Sequence, residues 1–382
     1  MLAGYNSRIM KKPFLGNLSP REFLREYWQK KPLLVRSAFP GFSGLLSPQE
    51  LAGLACLEEA QSRLVLHKGD RWLLRDGPFA DDDFARLPKT KWTLLVQGVN
   101  HFLPEAEHLL RKFDFVPHAR LDDLMVSYAP KGGSVGPHFD SYDVFLLQGL
   151  GQRHWQISAQ QDMTLVPDAP LKILQHFQPE QEWTLGPGDM LYLPPRYAHF
   201  GVAEGDCMTY SVGFRAPSAQ ELATQFLAYL QDKIQVDGMY QDPGLAPPKH
   251  PAEIGGKMLT QVSRMLAQIR WDRTDVAGFL GQYLSEPKPH VFYEPPKRPL
   301  PPKDFTQRCR KQGLKLALTS SMLFHGDTFF INGEICETGA GAHEILRRLA
   351  DRHCLPPDTQ IGPEAEQCLY QWYLLGYLAP GT

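Results

Sequence analysis

The sequence predicts a mainly β domain of the double-stranded β-helix, or jelly-roll, type, joined to a helical region and a C-terminal winged-helix-like α/β module. Three observations carry this reading. Short strand-like runs separated by Gly/Pro turns crowd residues 90–215. Helical periodicity returns after Ala216-Pro217, and a proline-rich break then precedes a helix–hairpin–helix pattern. A doubly wound α/β sheet would need helices of about ten or more residues between the strands, and the pattern over 90–215 does not supply them.

The elements follow in order. Ser19-Pro20-Arg-Glu22 and Ser47-Pro48-Gln-Glu50 each place Ser at a helix cap, Pro in the first turn and Glu at the third position. Ser218-Ala-Gln-Glu221 repeats the capping box without the proline. The first cap opens an amphipathic helix through Phe23, Tyr27 and Trp28 that stops before Lys31-Pro32, after which Leu33-Leu34-Val35 reads as a strand. Strands are expected at Trp92–Val96, Leu124–Tyr128, Asp143–Gln148, His154–Ile157, Met190–Leu193 and Met208–Phe214, with clear turns at Gly132-Gly133 and Gly186-Pro187-Gly188-Asp189.

Leu222, Phe226, Tyr229 and Leu230, and later Met258, Val262, Met265, Leu266 and Ile269, recur at helical spacing around a Pro/Gly-rich linker at 238–256. Such a stripe packs on its own domain or on a second copy, and a homodimer is expected. Pro287 to Pro302 holds seven prolines, a stiff break. Beyond it, Phe305–Gly313 reads as helix, Phe329–Ile335 as a hairpin turning at Asn332-Gly333, and Ala342–Cys354 and Glu364–Leu378 as helices. The expected division is a catalytic domain at 1–217 with its β core at about 90–215. A helical region at 218–286, a linker at 287–303 and a winged-helix-like module at 304–382 complete it.

Composition bounds the function. The 382 residues are 43% hydrophobic and 21% charged with a net charge of −2, ordinary globular usage without a global pull toward nucleic acid. The N-terminal Met-Leu-Ala-Gly-Tyr-Asn-Ser-Arg lacks the apolar core of a signal peptide, and no apolar run reaches membrane-spanning length. Six cysteines without a C-x-x-C pair read as free buried thiols of a reducing cytoplasm.

The chemistry concentrates in Gly136-Pro-His138-Phe-Asp140-Ser-Tyr142-Asp-Val. Read as a strand, it points His138 and Asp140 to one side, with Cα atoms about 6.6 Å apart. His-x-Asp alone is a weak pattern that a surface strand pair would also give. Here Gly-Pro marks the start, Tyr142 continues the same face, and a turn, a strand and a second turn through Pro194-Pro195 can return His199 to the same point. Two histidines and one carboxylate form a facial triad for non-haem Fe(II), leaving the opposite face open for co-substrate and O₂. Arg153 begins the next strand; it is either a solvated turn cation or the fixed guanidinium that a dicarboxylate co-substrate needs for its far end.

Gly-Pro-His138-Phe-Asp140-Ser-Tyr-Asp-Val-Phe, Gly-Gln-Arg153-His-Trp, Pro-Gly-Asp189-Met-Leu-Tyr-Leu-Pro-Pro and Tyr210-Ser-Val-Gly-Phe-Arg-Ala-Pro217 resemble the bacterial ribosomal oxygenases. These are JmjC-type cupin enzymes that hydroxylate an arginine of a large-subunit ribosomal protein. Phe23–Pro32 is similar too, and the resemblance spans most of residues 17–217. It implies Fe(II) held by His138, Asp140 and His199, with 2-oxoglutarate anchored by Arg153 and O₂ as second co-substrate. Where many relatives carry more arginine, this chain has His154, which leaves Arg153 for that role.

Asp123, Met125 and Ser127 share a strand face, so Asp123 can pair with a substrate guanidinium while Met125 lines its alkyl stem; a turn or capping carboxylate is the other reading of Asp123. Tyr142 can cover the pocket and Ser211 wall it. Asp81-Asp82-Asp83 reads as a solvated loop or an attraction for a basic partner. The basic stretch from Lys297 to Lys315 reads as a solvated or protein-docking face rather than a DNA-binding helix. Two alternatives remain: the same chemistry on a ribosomal-protein histidine, and a cupin/winged-helix DNA-binding regulator.

Overall fold

The computed structural model describes residues 13–69 and 71–381; residues 1–12, on which the reading of the N-terminus as lacking a signal peptide rests, lie outside it. The first half of the chain runs α1 (Pro20–Glu26), β1 (Leu33–Val35), α2 (Pro48–Leu54), β2 (Ser62–Lys68), β3 (Arg71–Asp76), α3 (Asp81–Ala85), β4 (Trp92–Val96) and α4 (Pro104–Leu110). Seven strands follow: β5 (Leu121–Ala129), β6 (Val144–Leu150), β7 (Arg153–Ser158), β8 (Gln181–Leu185), β9 (Met190–Leu193), β10 (Ala198–Ala203) and β11 (Cys207–Phe214). The capping boxes form as the sequence predicts at Ser19/Glu22 and Ser47/Glu50, each Ser side chain accepting from the Glu N–H while the Glu carboxylate accepts from the Ser N–H.

Two antiparallel sheets make the jelly roll. The larger has the order β1-β9-β6-β11-β5-β4-β2-β3, the smaller β10-β7-β8. The β core therefore reaches well before residue 90, through β1 and the β2–β3 hairpin. Alternation along the central strands builds two unlike faces from one sheet. Leu94, Val96, Leu124, Val126, Phe145, Leu147, Tyr210 and Val212 point to an outer core sealed by Phe23 of α1, Leu51 of α2 and Leu109 of α4. Their neighbours Leu95, Met125, Ser127, Val144, Leu146, Thr209 and Ser211 face inward, toward the smaller sheet, and line a cavity. Trp155, Ile157 and Leu185 close the space between the sheets against Val144, Leu146, Leu191 and Leu193.

Three expectations change. The segment read as a strand from Gly136 is extended but irregular: His138 makes an isolated bridge to His199, and regular pairing begins only at Val144. Its backbone meets the start of β10 at His199 and the turn before it at Arg196, without forming a continuous ladder, which frees it to bend around one point. Asp81-Asp82-Asp83 is the first turn of α3 rather than a loop; the acids complement the helix N-terminus, and Asp83 accepts the Ala80 N–H and pairs with Arg75. The cysteines are free, but only Cys207 and Cys309 are buried; Cys354 is exposed on a short edge strand, and Cys56, Cys336 and Cys368 are half-covered.

The second half runs α5 (Ala219–Gln231), α6 (Gly256–Leu266), α7 (Arg273–Ser285), α8 (Pro302–Gln312), β12 (Leu314–Leu316), β13 (Met322–His325), β14 (Thr328–Ile331), β15 (Glu334–Cys336), α9 (His343–Arg352), β16 (Cys354–Leu355), α10 (Pro363–Leu374) and β17 (Leu378–Pro380). The β14–β15 turn has Asn332 and Gly333 at φ 52° and 85°, as the Asn-Gly pair predicts. Phe305, Phe329, Leu346, Leu349, Leu369 and Trp372 form a separate core for this module. It docks on α7, where Gly281 lets the Phe330 ring approach so closely that a Cβ would lie 2.3 Å from it. On α6, by contrast, Met258, Leu259 and Leu266 stay exposed.

Candidate active site

His138 and His199 exchange two backbone hydrogen bonds, His138 N–H to His199 O at 2.9 Å and His199 N–H to His138 O at 2.8 Å. Each ring is then turned by the same local device. The Nδ1 of His138 lies 2.9 Å from Gly136 O, and that of His199 lies 2.9 Å from Tyr197 O. With Nδ1 donating, each ring presents the Nε2 lone pair, the arrangement a metal-binding histidine needs. Gly136 permits this geometry at φ 82°; a Cβ there would meet Ile173 at 2.4 Å. Asp140 is fixed from the second turn, where Arg196 N–H donates to Asp140 O at 2.7 Å.

The ligand atoms of His138, Asp140 and His199 all lie within 4.8 Å of one another, and they are the set among the described residues that could hold a metal ion. Asp140 Oδ2 stands 3.7 Å from His199 Nε2. His199 is only 3% exposed, and burial, then the neighbouring His138, lower its pKa to about 4. Its imidazole is therefore neutral near pH 7, with a lone pair to give. Two nitrogens and one carboxylate oxygen suit Fe(II).

The segment is held at its far end by Asp143, which is fully buried. Its carboxylate accepts from Tyr192 Oη at 2.6 Å and Gln29 Nε2 at 3.0 Å, and faces Arg120 at 3.5 Å. Burial, then that hydrogen bond, push the Tyr192 phenol up, so it remains a donor. These contacts tie the start of β6 to β9 and to the turn after α1.

The triad opens into a cavity of about 170 Å³ whose lining includes Asp123, Met125, Tyr142, Arg153 and Ser211, the candidate co-substrate and substrate residues read from the sequence. Arg153, 3% exposed, lies over the Trp155 ring at 5.7 Å, while its Nε and Nη2 have no hydrogen-bond partner. An unpaired guanidinium in so dry a place is costly. The arrangement fits a carboxylate-bearing small molecule such as 2-oxoglutarate. His154, one residue on, points to the other face of β7 and lies 3.4 Å from Glu182. Asp123, 6% exposed, accepts the Gly98 N–H at 2.9 Å through Oδ2, at the entry to the 3-10 turn Val99–His101.

Sequence reasoning missed Thr93 and Trp155, which also line the chamber and whose Oγ1 and Nε1 are buried without a hydrogen-bond partner. The period of two on β4 and β7 was the available signal, since it places them in line with Leu95 and Arg153. Gly201 makes room for Trp155, as a Cβ there would stand 2.7 Å from its ring.

The JmjC domain matches residues 108–222 and the ROXA-like winged helix residues 268–379. The ribosomal protein uL16 3-hydroxylase of Escherichia coli (strain K12) is 36% identical over 316 residues, 82% of this chain and 84% of the relative. The chain belongs to the ribosomal oxygenase family. It is an enzyme of the 2-oxoglutarate-dependent dioxygenase class. A probable ribosomal oxygenase of Haemophilus influenzae is 42% identical over 233 residues, 60% of this chain and 55% of that one. The crystal structure of E. coli YcfD covers 95% of this chain and 98% of its own at 33% identity, with a TM-score of 0.82. YcfD in complex with cobalt and 2-oxoglutarate matches over the same shares with a TM-score of 0.80.

Replacing Asp143 by Ala removes the acceptor of the Tyr192 and Gln29 side chains and should lower stability by about 1–3 kcal/mol. Denaturant unfolding of the Asp143→Ala protein, with a parallel Mn(II) titration, should show both a lower midpoint and weaker metal binding. An unchanged midpoint would discard Asp143 as the anchor.

Proposed function

We propose that the chain hydroxylates an arginine side chain of a large-subunit ribosomal protein, with His138, Asp140 and His199 as the ligands of Fe(II). The observation that carries this is a single chamber holding three unlike groups: the triad, the unpartnered Arg153 and the buried Asp123. Iron(II), when bound, supplies the redox centre that couples decarboxylation of 2-oxoglutarate by O₂ to insertion of one oxygen atom into a C–H bond, the other oxygen passing to succinate.

The protein's own residues divide the remaining work. His138 and His199 hold their Nε2 atoms toward one point because their Nδ1 atoms are occupied. Arg153 receives the far carboxylate of 2-oxoglutarate through its guanidinium fork. Asp123 receives the substrate guanidinium, Met125 flanks its alkyl stem, and Ser211 offers a hydroxyl to the same wall. Tyr142, 40% exposed, stands at the mouth and excludes water when substrate enters. Fixing the reactive C–H bond in this way is the larger part of what a protein adds to such chemistry. The buried carboxylate favours arginine over histidine as the target. The E. coli relative's name points to uL16 as the substrate and to carbon 3 as the position. A ribosomal-protein target supports a cytoplasmic reaction.

We assign residues 1–217 to the catalytic domain, 218–286 to a dimerisation region, 287–303 to a linker and 304–382 to the winged-helix module. A homodimer is supported by the exposed Met258, Leu259 and Leu266 of α6.

Mass spectrometry of ribosomal proteins incubated with enzyme, Fe(II) and 2-oxoglutarate should find one added oxygen on an arginine, absent with His138→Ala. Oxygen on a histidine alone would replace the target, and unchanged turnover by His138→Ala would remove the metal assignment. Arg153→Ala should raise the KM for 2-oxoglutarate by about tenfold or more, the loss of a charge-assisted bidentate pair; an unchanged KM would move the anchor elsewhere. Light scattering should report a dimer for the native chain and a monomer for Met258→Asp/Leu259→Asp. A native monomer would end the dimer proposal.

A further inference from the structure

The chamber wall at Asp122-Asp123 has a second side. A smaller cleft of about 90 Å³ lies behind it, and Asp122 and Asp123 line both spaces. Lys288 lines only the rear cleft. It comes from the proline-rich break just after α7, between Pro287 and Pro289, whose rings narrow the backbone choices of the segment. Its Nζ lies 3.1 Å from Asp122 Oδ1 and 3.6 Å from Asp123 Oδ2.

We propose that Lys288 is a positioning residue for substrate recognition: from behind the wall it holds Asp122 and Asp123 so that Asp123 keeps one free carboxylate oxygen in the reaction chamber. The inference rests on Asp123 as the guanidinium partner. Oδ2 of Asp123 is engaged by both the Gly98 N–H and Lys288. Oδ1 lies toward Gly213 of the chamber lining, 3.9 Å from where a Cβ would stand on that glycine. One oxygen is thus anchored and the other offered.

The surrounding charges make the same point. Asp122 also meets Arg215 Nε at 3.3 Å, and Arg215 Nη1 donates to Leu284 O near the end of α7 at 2.6 Å. Two adjacent carboxylates are matched by two cations, and both cations depend on the α7 end or the residues after it. Burial and then Asp122 push the Asp123 carboxyl up, and Lys288 opposes them. Without Lys288, the buried carboxylate would face its neighbour with less compensation and would turn or protonate, losing the oriented acceptor. The substrate pocket is therefore completed by a residue outside the jelly roll, from the segment that also matches the winged helix.

The test uses the full-length enzyme and an arginine peptide from the ribosomal protein that native enzyme oxidises. Lys288→Met keeps the stem and removes the charge. It should raise the peptide KM by about tenfold, the scale of one charge-assisted contact, with kcat and the 2-oxoglutarate KM little changed. Lys288→Arg should restore most of the peptide affinity. An unchanged peptide KM in Lys288→Met would overturn the proposal. So would equal loss of peptide-independent 2-oxoglutarate turnover and thermal stability, which is what a merely structural lysine would give. If the native enzyme oxidises no arginine at all, the reading of Asp123 fails first, and that control separates the two failures.

Discussion

Two backbone hydrogen bonds between His138 and His199 are the constraint on which the rest of the site depends. They join an irregular segment to the start of β10, far on in the sequence. An ordinary ladder would send alternate side chains to opposite faces and fix their spacing. An isolated bridge lets the His138 segment curve away from β10 immediately, so that His138 and Asp140 converge with His199 on one point. The Nδ1 contacts to Gly136 and Tyr197 then set ring orientation without any additional side chain. Tight backbone geometry thus does what outer carboxylates do in many metal sites.

The sheet supplies the second requirement, a polar interior that does not weaken the fold. Strands β4, β5, β6 and β11 each give one face to the aromatic outer core and one to the chamber. Hydrophobic stabilisation is concentrated on the outer side, where Phe23, Phe145 and Tyr192 pack with centroids 4.8–5.4 Å apart. The inner side can then carry Ser127, Thr209 and Ser211. A period of two separates stability from chemistry within the same residues.

This division explains what could be read in the sequence. The triad and Arg153 sit in compact motifs whose glycines and prolines announce their turns, and all four line the chamber. The expected strand through His138 was incorrect because pattern alone cannot distinguish a sheet partner from an isolated bridge. The β2–β3 hairpin went unread because β3 is largely exposed and alternates too little to show a buried face. Lys288 was invisible for a different reason. Its partners lie far back in sequence, and nothing in a proline-rich stretch indicates which lysine turns inward.

The buried Arg153 has a consequence for how the fold meets its co-substrate. Its guanidinium lies over the Trp155 ring, almost wholly shielded from solvent. A ligand that binds only the folded chain stabilises it more as its concentration rises, by about 2.7 kcal/mol at a hundred times the dissociation constant. With a dicarboxylate on Arg153, resistance to unfolding and co-substrate supply would be linked.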